Sequence, residues 1–174
     1  QTPLVLRGHR LQSWRLDQAE SRVAGRLREL VTDARATDAV DPEAMDTLFP
    51  GAESAQRQVA MVGVQRKFVL VTGGPGTGKT TVAARFLTLL ANRDPNLRMA
   101  LVAPTGKAAR RLGEAIGSAV SGLDNRFADV VSRLEVAARD TRTLHQLLGW
   151  NRTTGHCRFH AGNPLPYDII VVDE

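Results

Sequence analysis

A glycine-rich segment between Val69 and Thr81 has the composition and spacing of a phosphate-binding loop. It follows the pattern G-x-x-x-x-G-K-[ST] from Gly73 to Thr80. Glycine accepts backbone angles that are closed to other residues, so such a loop can curve around an anion and turn its N–H groups toward it. The lysine supplies a positive charge for the β- and γ-phosphates, and the hydroxyl that follows it is a ligand for Mg²⁺. The segment therefore predicts a site for a nucleoside triphosphate.

The predicted nucleotide-binding residues are those of the loop and of the helix start that follows: Gly73, Gly74, Pro75, Gly76, Thr77, Gly78, Lys79, Thr80 and Thr81. Within this set, Lys79 is also a candidate catalytic residue and Thr80 a candidate magnesium ligand. Gln56 lies on a predicted helix before the loop, and its side-chain amide can both donate to and accept from an adenine edge. Taken alone, this signal is weak, because glutamine is common on helix surfaces.

Two carboxylates, Asp173 and Glu174, follow the apolar run Ile169–Val172. We expect the run to form a fully buried strand that delivers both carboxylates at its carboxyl end. Asp173 would hold Mg²⁺ opposite Thr80, and Glu174 would orient and deprotonate the attacking water. Asp-Glu after apolar residues is common by itself, but it becomes specific when a complete phosphate loop precedes it.

The elements that must position these residues alternate between strands and helices. Residues 67–72 form an apolar, β-branched run that reads as a buried strand, and a helix follows the loop. A second predicted strand over 98–103 leads into a helix that opens with Thr105, Gly106 and Lys107. This order predicts an α/β protein with a parallel sheet and crossover helices. Thr105 and Lys107 should then lie at the same sheet edge as the phosphate loop.

The first fifty residues contain no motif that carries chemistry. Helical spacing predicts one helix over 16–31 and a second over 42–48, the latter opened by Asp41 and a proline. We place a domain boundary at residues 49–53, where Phe49-Pro50-Gly51 is a strong breaker. The chain is thus expected to comprise a small helical N-terminal region, residues 1–50, and a nucleotide-binding domain, residues 51–174.

Composition bounds the class of protein and its partners. The chain has 174 residues, enough for one domain or one domain and part of another, and a net charge of +5. Residues 1–50 hold seven basic and eight acidic side chains, so the remaining sixteen basic and ten acidic ones give the nucleotide-binding part its excess. This excess permits a polyanionic partner. A single cysteine, Cys157, and the lack of a long apolar run favour a cytoplasmic protein with no membrane segment.

Five segments together carry a resemblance to a known family. They are Thr72–Thr81, Ala103–Ala109, Thr143–Gly149, Ala161–Leu165 and Val171–Glu174. With them the sequence resembles the RecD family, the alpha subunits of exonuclease V, which are superfamily 1 DNA helicases. The segment A-P-T-G-K-A-A at Ala103–Ala109 separates this family from generic phosphate-loop ATPases.

The resemblance implies a first RecA-like motor domain that uses ATP and Mg²⁺ and extends to the Walker B motif at Asp173-Glu174. Gln56 matches the family's adenine-sensing glutamine. Thr105 and Lys107 match a segment that grips the backbone of single-stranded DNA, and Thr143 and His145 match one that lines the DNA path or links it to the ATP site.

On the same resemblance, the intact protein would move 5′ to 3′ on single-stranded DNA and unwind duplex ends in double-strand break repair and recombination. Residues 1–50 would dock it into a heterotrimer with RecB and RecC. A second motor domain would supply an arginine to the γ-phosphate. No residue here takes that role, so we expect the chain to be a portion of a longer protein and inactive as an ATPase by itself.

Several alternatives stay open from the sequence. A phosphate-loop ATPase with a substrate other than DNA and a non-catalytic scaffold subunit are the other two functional classes. His145 also fits a core histidine bonded to the backbone. Trp150 could stack on a DNA base, although beside two leucines a packing role is favoured. His156, Cys157 and His160 lack the second ligand pair that a zinc site needs.

Overall fold

The structure, a computed structural model, describes residues 3–33, 40–51, 54–74 and 76–173. The described residues up to Asp33 join Met61–Leu70 in one compact unit, and the remaining described residues form another. Helix α3, Ala55–Gln65, begins in the second unit and ends in the first. The domain boundary at residue 50 stays a prediction. No helix in the described ranges is long and apolar enough to cross a lipid bilayer.

A hairpin and a long helix make up most of the first unit. Strands β1 (Leu4–Arg7) and β2 (Arg10–Ser13) pair antiparallel, and helix α1 (Trp14–Thr32) follows directly. The helix begins at Ser13, whose hydroxyl accepts from the backbone N–H of Leu16. The predicted helix over 16–31 is confirmed.

A buried aspartate joins this hairpin to α1. The side chain of Asp17 accepts hydrogen bonds from Arg7 at 2.9 Å and from Gln12 at 3.1 Å. The hydrogen bond from Arg7 lowers the pKa of the Asp17 carboxyl, against the opposing effect of its burial. The carboxylate is therefore ionised at neutral pH and compensated by a neighbouring guanidinium.

The second unit is an α/β assembly around a three-stranded parallel sheet in the order β4-β3-β7. Its strands are β3 (Met99–Ala103), β4 (Arg142–Thr143) and β7 (Ile169–Val172). The longer helices of this unit are α4 (Lys79–Arg93), α5 (Gly106–Ser121) and α6 (Ala128–Arg139). Three short elements complete the helical part: α2 (Pro42–Leu48), a 3₁₀ turn (Asn125–Phe127) and α7 (Leu144–Leu148).

The core of this unit lies between the sheet and the three long helices. Leu101, Val102 and Ala103 of β3 are buried, as are Ile116 of α5 and Leu134 of α6. Helices α5 and α6 connect β3 to the parallel strand β4, so the predicted parallel α/β sheet with crossover helices is confirmed. A small hairpin, β5 (Trp150–Asn151) with β6 (His156–Cys157), follows α7.

Two predictions about strands are wrong. Residues 67–72 form no strand, and Leu70 is 74% exposed. The apolar pattern is a local signal, but a strand also needs a neighbour for its N–H and C=O groups, and no described strand pairs with this run. Strand β7 forms as predicted but is not fully buried. It lies at a sheet edge, and Ile170 and Val172 are exposed while Ile169 and Val171 are half-buried.

Helices α5 and α6 approach each other most closely at a glycine. A Cβ added to Gly113 would lie 2.3 Å from the carbonyl oxygen of Ala138 and 3.0 Å from Thr141 Cγ2. Real carbon atoms do not approach a carbonyl oxygen so closely, so only glycine fits without a backbone shift. Gly117, one turn later, is different, because its Cβ would lie 4.0 Å from the nearest atom, the Cβ of Ala138.

We predict that Gly113→Ala lowers the free energy of unfolding by about 1–3 kcal/mol, because the added methyl overpacks the α5–α6 contact. Gly117→Ala is the matched control in the same helix. It should leave stability unchanged or raise it by up to about 1 kcal/mol, since alanine favours helix over glycine. Urea unfolding of the three proteins measures both values. Equal stabilities for the two variants would show that the close contact does not constrain the fold.

Candidate functional site

The phosphate loop enters helix α4 through glycines in left-handed conformations. Gly76 has φ +74° and Gly78 has φ +80°, angles at which a residue with a Cβ is strained. Gly78 is the N-cap of α4, and its carbonyl accepts from the backbone N–H of Val82 at 2.9 Å. The free N–H groups of the first helical turn therefore point toward the loop, where they favour an anion.

Two side chains of the phosphate loop donate hydrogen bonds to its own backbone carbonyls. The Lys79 ammonium donates to the carbonyl oxygens of Gly73 at 2.7 Å and Gly74 at 2.9 Å. The Thr77 hydroxyl donates to the Gly74 carbonyl at 2.8 Å. A Cβ on Gly73 would lie 2.7 Å from that hydroxyl oxygen, so a larger residue there would force the Thr77 side chain to rotate. The result is a positive charge held at the loop, beside the positive end of the helix dipole.

Gln56 lies beside this loop. A Cβ built on Gly78 would come 3.5 Å from the Gln56 side-chain nitrogen. Its neighbour Arg57 fixes the start of α3 by an ion pair with Asp46 at 2.7 Å and a hydrogen bond to the Phe49 carbonyl at 3.2 Å. The amide of the half-buried Gln56 thus lies at the end of the loop, beside Gly78.

The carboxyl ends of the three parallel strands form one edge that carries candidate residues. The register pairs Ala103 with Thr143 and Val102 with Val172. The backbone N–H of Asp173 continues this pairing by donating to the Val102 carbonyl at 3.0 Å. Thr105, Thr143 and Asp173 therefore lie at the same edge of the sheet.

Both threonines at this edge cap helices. The Thr105 hydroxyl accepts from the N–H of Ala108 at 3.3 Å and begins α5. Thr143 forms a capping box with Gln146: its hydroxyl accepts at 3.2 Å, and the Gln146 amide oxygen accepts from the Thr143 N–H at 2.8 Å. Gln146 is not among the predicted site residues, although the T-x-x-Q spacing from Thr143 to Gln146 is typical of a capping box.

Two predicted DNA-binding residues are exposed. The Lys107 side chain lies on the first turn of α5, and His145 lies on α7. The imidazole of His145 meets the indole of Trp150 edge-on, with ring centroids 6.1 Å apart and an angle of 77° between planes. His145 is therefore not a core histidine.

Thr80 and Asp173 are the predicted magnesium ligands. Thr80 is half-buried at the start of α4, and Asp173 is exposed at the end of β7. A hydroxyl and a carboxylate are hard oxygen donors that suit Mg²⁺, which keeps several of its waters in most protein sites. Within the described ranges, no three or more His, Cys, Asp or Glu residues are arranged to hold a metal ion. His156, Cys157 and His160 therefore do not form such a group. Pro75 and Glu174 lie outside the described residues.

Arginines at two positions support the sheet and the loop helix from the opposite side. Arg133 of α6 donates to the carbonyls of Ala91 at 3.1 Å, Leu97 at 3.3 Å and Asp94 at 3.4 Å, and so joins the end of α4 to the start of β3. Arg98 binds Asp168 through both carboxylate oxygens, and this hydrogen bonding raises the pKa of Arg98. The sequence alone indicated neither role.

Comparison with known proteins gives a consistent picture. A family model described as an AAA domain matches residues 56–174. The RecBCD enzyme subunit RecD of Mycolicibacterium smegmatis is 44% identical over 133 residues, which cover 73% of this chain and 23% of the relative. The RecD subunit of Haemophilus influenzae is 40% identical over 68% of this chain and 19% of its own length.

A third relative is named an ATP-dependent RecD2 DNA helicase, from Deinococcus radiodurans. It is 34% identical over 90% of this chain and 19% of its own length. The resemblance to RecD predicted from the motifs is thus confirmed. The chain spans about a quarter or less of the length of these three relatives.

Two substitutions test whether Thr143 stabilises the start of α7 as a helix cap. We expect Thr143→Ala to lower the free energy of unfolding by about 1 kcal/mol, because the first turn of α7 loses its side-chain acceptor. Thr143→Ser keeps a hydroxyl in place and should stay within a few tenths of a kcal/mol of the wild type. Urea denaturation measures both. An alanine variant as stable as the serine variant would contradict the capping role.

Proposed function

Because the chain belongs to the AAA domain family, we propose that it is the ATP-binding part of a DNA helicase of the RecD type. The observation that carries this proposal is the shared edge of the parallel sheet. There the segment Ala103–Ala109, matched to a DNA-gripping element, begins beside Asp173, the proposed magnesium ligand. An ATP site and a DNA site on adjacent strand ends are the arrangement that a DNA-driven motor needs.

The loop and its helix would hold the triphosphate of ATP. The N–H groups at the start of α4 and the Lys79 ammonium would bind the β- and γ-phosphates. An ammonium has three donors, of which two contact loop carbonyls. Thr80 and Asp173 would ligate Mg²⁺, which neutralises charge on the phosphates when it is bound. Gln56 would read the adenine edge, and Glu174 would orient and deprotonate the attacking water.

The threonines assigned to DNA would bind it through hydroxyl hydrogens that helix capping does not use. A threonine hydroxyl has one donor as well as acceptor lone pairs. Thr105 and Thr143 each accept a backbone N–H to begin a helix, so each O–H can still donate to a phosphodiester oxygen. Lys107 adds a mobile positive charge near Thr105, and His145 extends the surface beyond Thr143. Contacts of this kind position a nucleic-acid backbone without reading its sequence.

The activities of the whole protein follow from the same proposal. It would translocate 5′ to 3′ on single-stranded DNA and unwind duplex ends in double-strand break repair and recombination, in the cytoplasm. Residues 1–50 would dock it to RecB and RecC in a heterotrimer. A second motor domain would contribute an arginine to the γ-phosphate, so residues 1–174 alone would bind ATP without useful turnover.

The test is ATP hydrolysis by the intact polypeptide, with and without single-stranded DNA, in the wild type and three lysine variants. Lys79→Ala should lower kcat by about 100-fold or more, because a group that stabilises transferred-phosphoryl charge is lost. Lys107→Ala should raise the DNA concentration needed for stimulation and leave hydrolysis without DNA unchanged.

Lys67→Ala is the matched control, since that ammonium pairs with Asp33 rather than with the loop, and it should behave as the wild type. Hydrolysis that is indifferent to DNA in the wild type would instead identify a phosphate-loop ATPase with another substrate. No hydrolysis, even with partner subunits present, would favour a scaffold.

A further inference from the structure

The hairpin after α7 presents an aromatic side chain to solvent. Trp150 opens strand β5, opposite Cys157 of β6, and is 43% exposed. Its described ring contact is the edge-on approach of His145. Gly155 in the turn carries no side chain near the indole, and a Cβ there would lie 4.0 Å from Cη2 of the ring. A tryptophan that served only to pack a loop would be expected to hide more of its surface.

The hairpin is a well-defined platform. Asn151 closes its turn by accepting the N–H groups of Thr153 at 2.8 Å and Thr154 at 3.1 Å through its side chain, and that of Gly155 at 2.9 Å through its carbonyl. Backbone bonds from Arg158 to Gly149 at 3.2 Å and from Phe159 to Leu148 at 3.1 Å join it to the end of α7. The indole is thus presented by an ordered element, so little conformational freedom is lost when a ligand binds.

The unpaired charges in the chain segment that contains Trp150 have one sign. Between Asp140 and Asp168 the sequence contains no acidic residue, while it holds Arg142, Arg152 and Arg158 and three histidines. Arg142 is paired with Asp140. Arg152 and Arg158 are exposed on the hairpin, and the Arg158 guanidinium lies 5.3 Å from the ring centroid of Phe159. Basic side chains with no acidic residue between them favour a polyanionic partner over an uncharged, apolar one.

Exposed aromatic rings interleaved with basic side chains are the means by which proteins bind single-stranded nucleic acid without sequence preference. We propose that Trp150 is a stacking platform for a base of single-stranded DNA, with His145 positioning the indole and Arg152 and Arg158 contacting the flanking phosphodiesters. This inference rests on the proposed function, and it adds a base contact to a surface otherwise assigned to the DNA backbone. The chain enters the hairpin from α7, whose N-cap is Thr143, so only one short helix separates Trp150 from a strand end assigned to the DNA backbone.

The experiment compares two ligands with matched charge. The intact polypeptide is titrated with a fluorescently labelled oligothymidylate and with a strand of the same length whose nucleotides are abasic. Because base–aromatic stacking is lost, Trp150→Ala should weaken binding of the oligothymidylate about tenfold. The same variant should bind the abasic strand as the wild type does, since the phosphates and their contacts are unchanged. Trp150→Phe should restore most of the affinity for the oligothymidylate.

Lys107→Ala is the control for a phosphate contact and should weaken both strands by similar factors. Equal affinity of the wild type and Trp150→Ala for the oligothymidylate would overturn the stacking role and leave the proposed function standing. A loss of affinity for both strands in Trp150→Ala, unrelieved in Trp150→Phe, would likewise overturn it. If the wild type bound neither strand, the proposed function itself would fail.

Discussion

The pairing of β3 with a parallel strand on each side is the constraint on which the candidate site depends. Parallel neighbours must end at the same edge, so the register of Ala103 with Thr143 and of Val102 with Val172 aligns three chain segments that are distant in sequence. The N–H of Asp173 extends the ladder by one bond to the Val102 carbonyl. Each predicted role at this edge follows from that alignment, because none of the three segments could position the others locally.

The same unit links the phosphate loop to this edge through packed elements. Helix α4 begins at the loop, and Arg133 of α6 joins its last turn to the start of β3 by three carbonyl contacts. Helix α5 leaves β3 and closes on the end of α6 at Gly113. Helices α4 and α5 therefore connect the phosphate loop to the ends of the strands through packed contacts. This is the physical basis on which ATP and DNA could influence each other in the proposed motor.

Local signals in the sequence were sufficient for the loop and for the helix starts. The cap at Asp41 was predicted, because a cap depends on a few neighbouring residues. Strand pairing depends on distant ones, and the run over 67–72 was wrongly predicted as a buried strand for that reason. The exposure of β7 follows from its edge position, which its apolar composition does not reveal. The proximity of Gln56 to Gly78 and the exposure of Trp150 likewise depend on how α3 and the hairpin are held.

We propose that ATP and single-stranded DNA bind to the same unit and that each ligand changes the affinity for the other. Equilibrium binding measurements test this proposal most directly. The affinity of the intact polypeptide for a non-hydrolysable ATP analogue is measured with and without saturating oligothymidylate, and its affinity for oligothymidylate with and without the analogue. Coupling between two sites is reciprocal, so both affinities should change by the same factor, in the range of about 5- to 150-fold. If neither affinity changed, the two sites would be independent, and the shared sheet edge would not explain a DNA-driven motor.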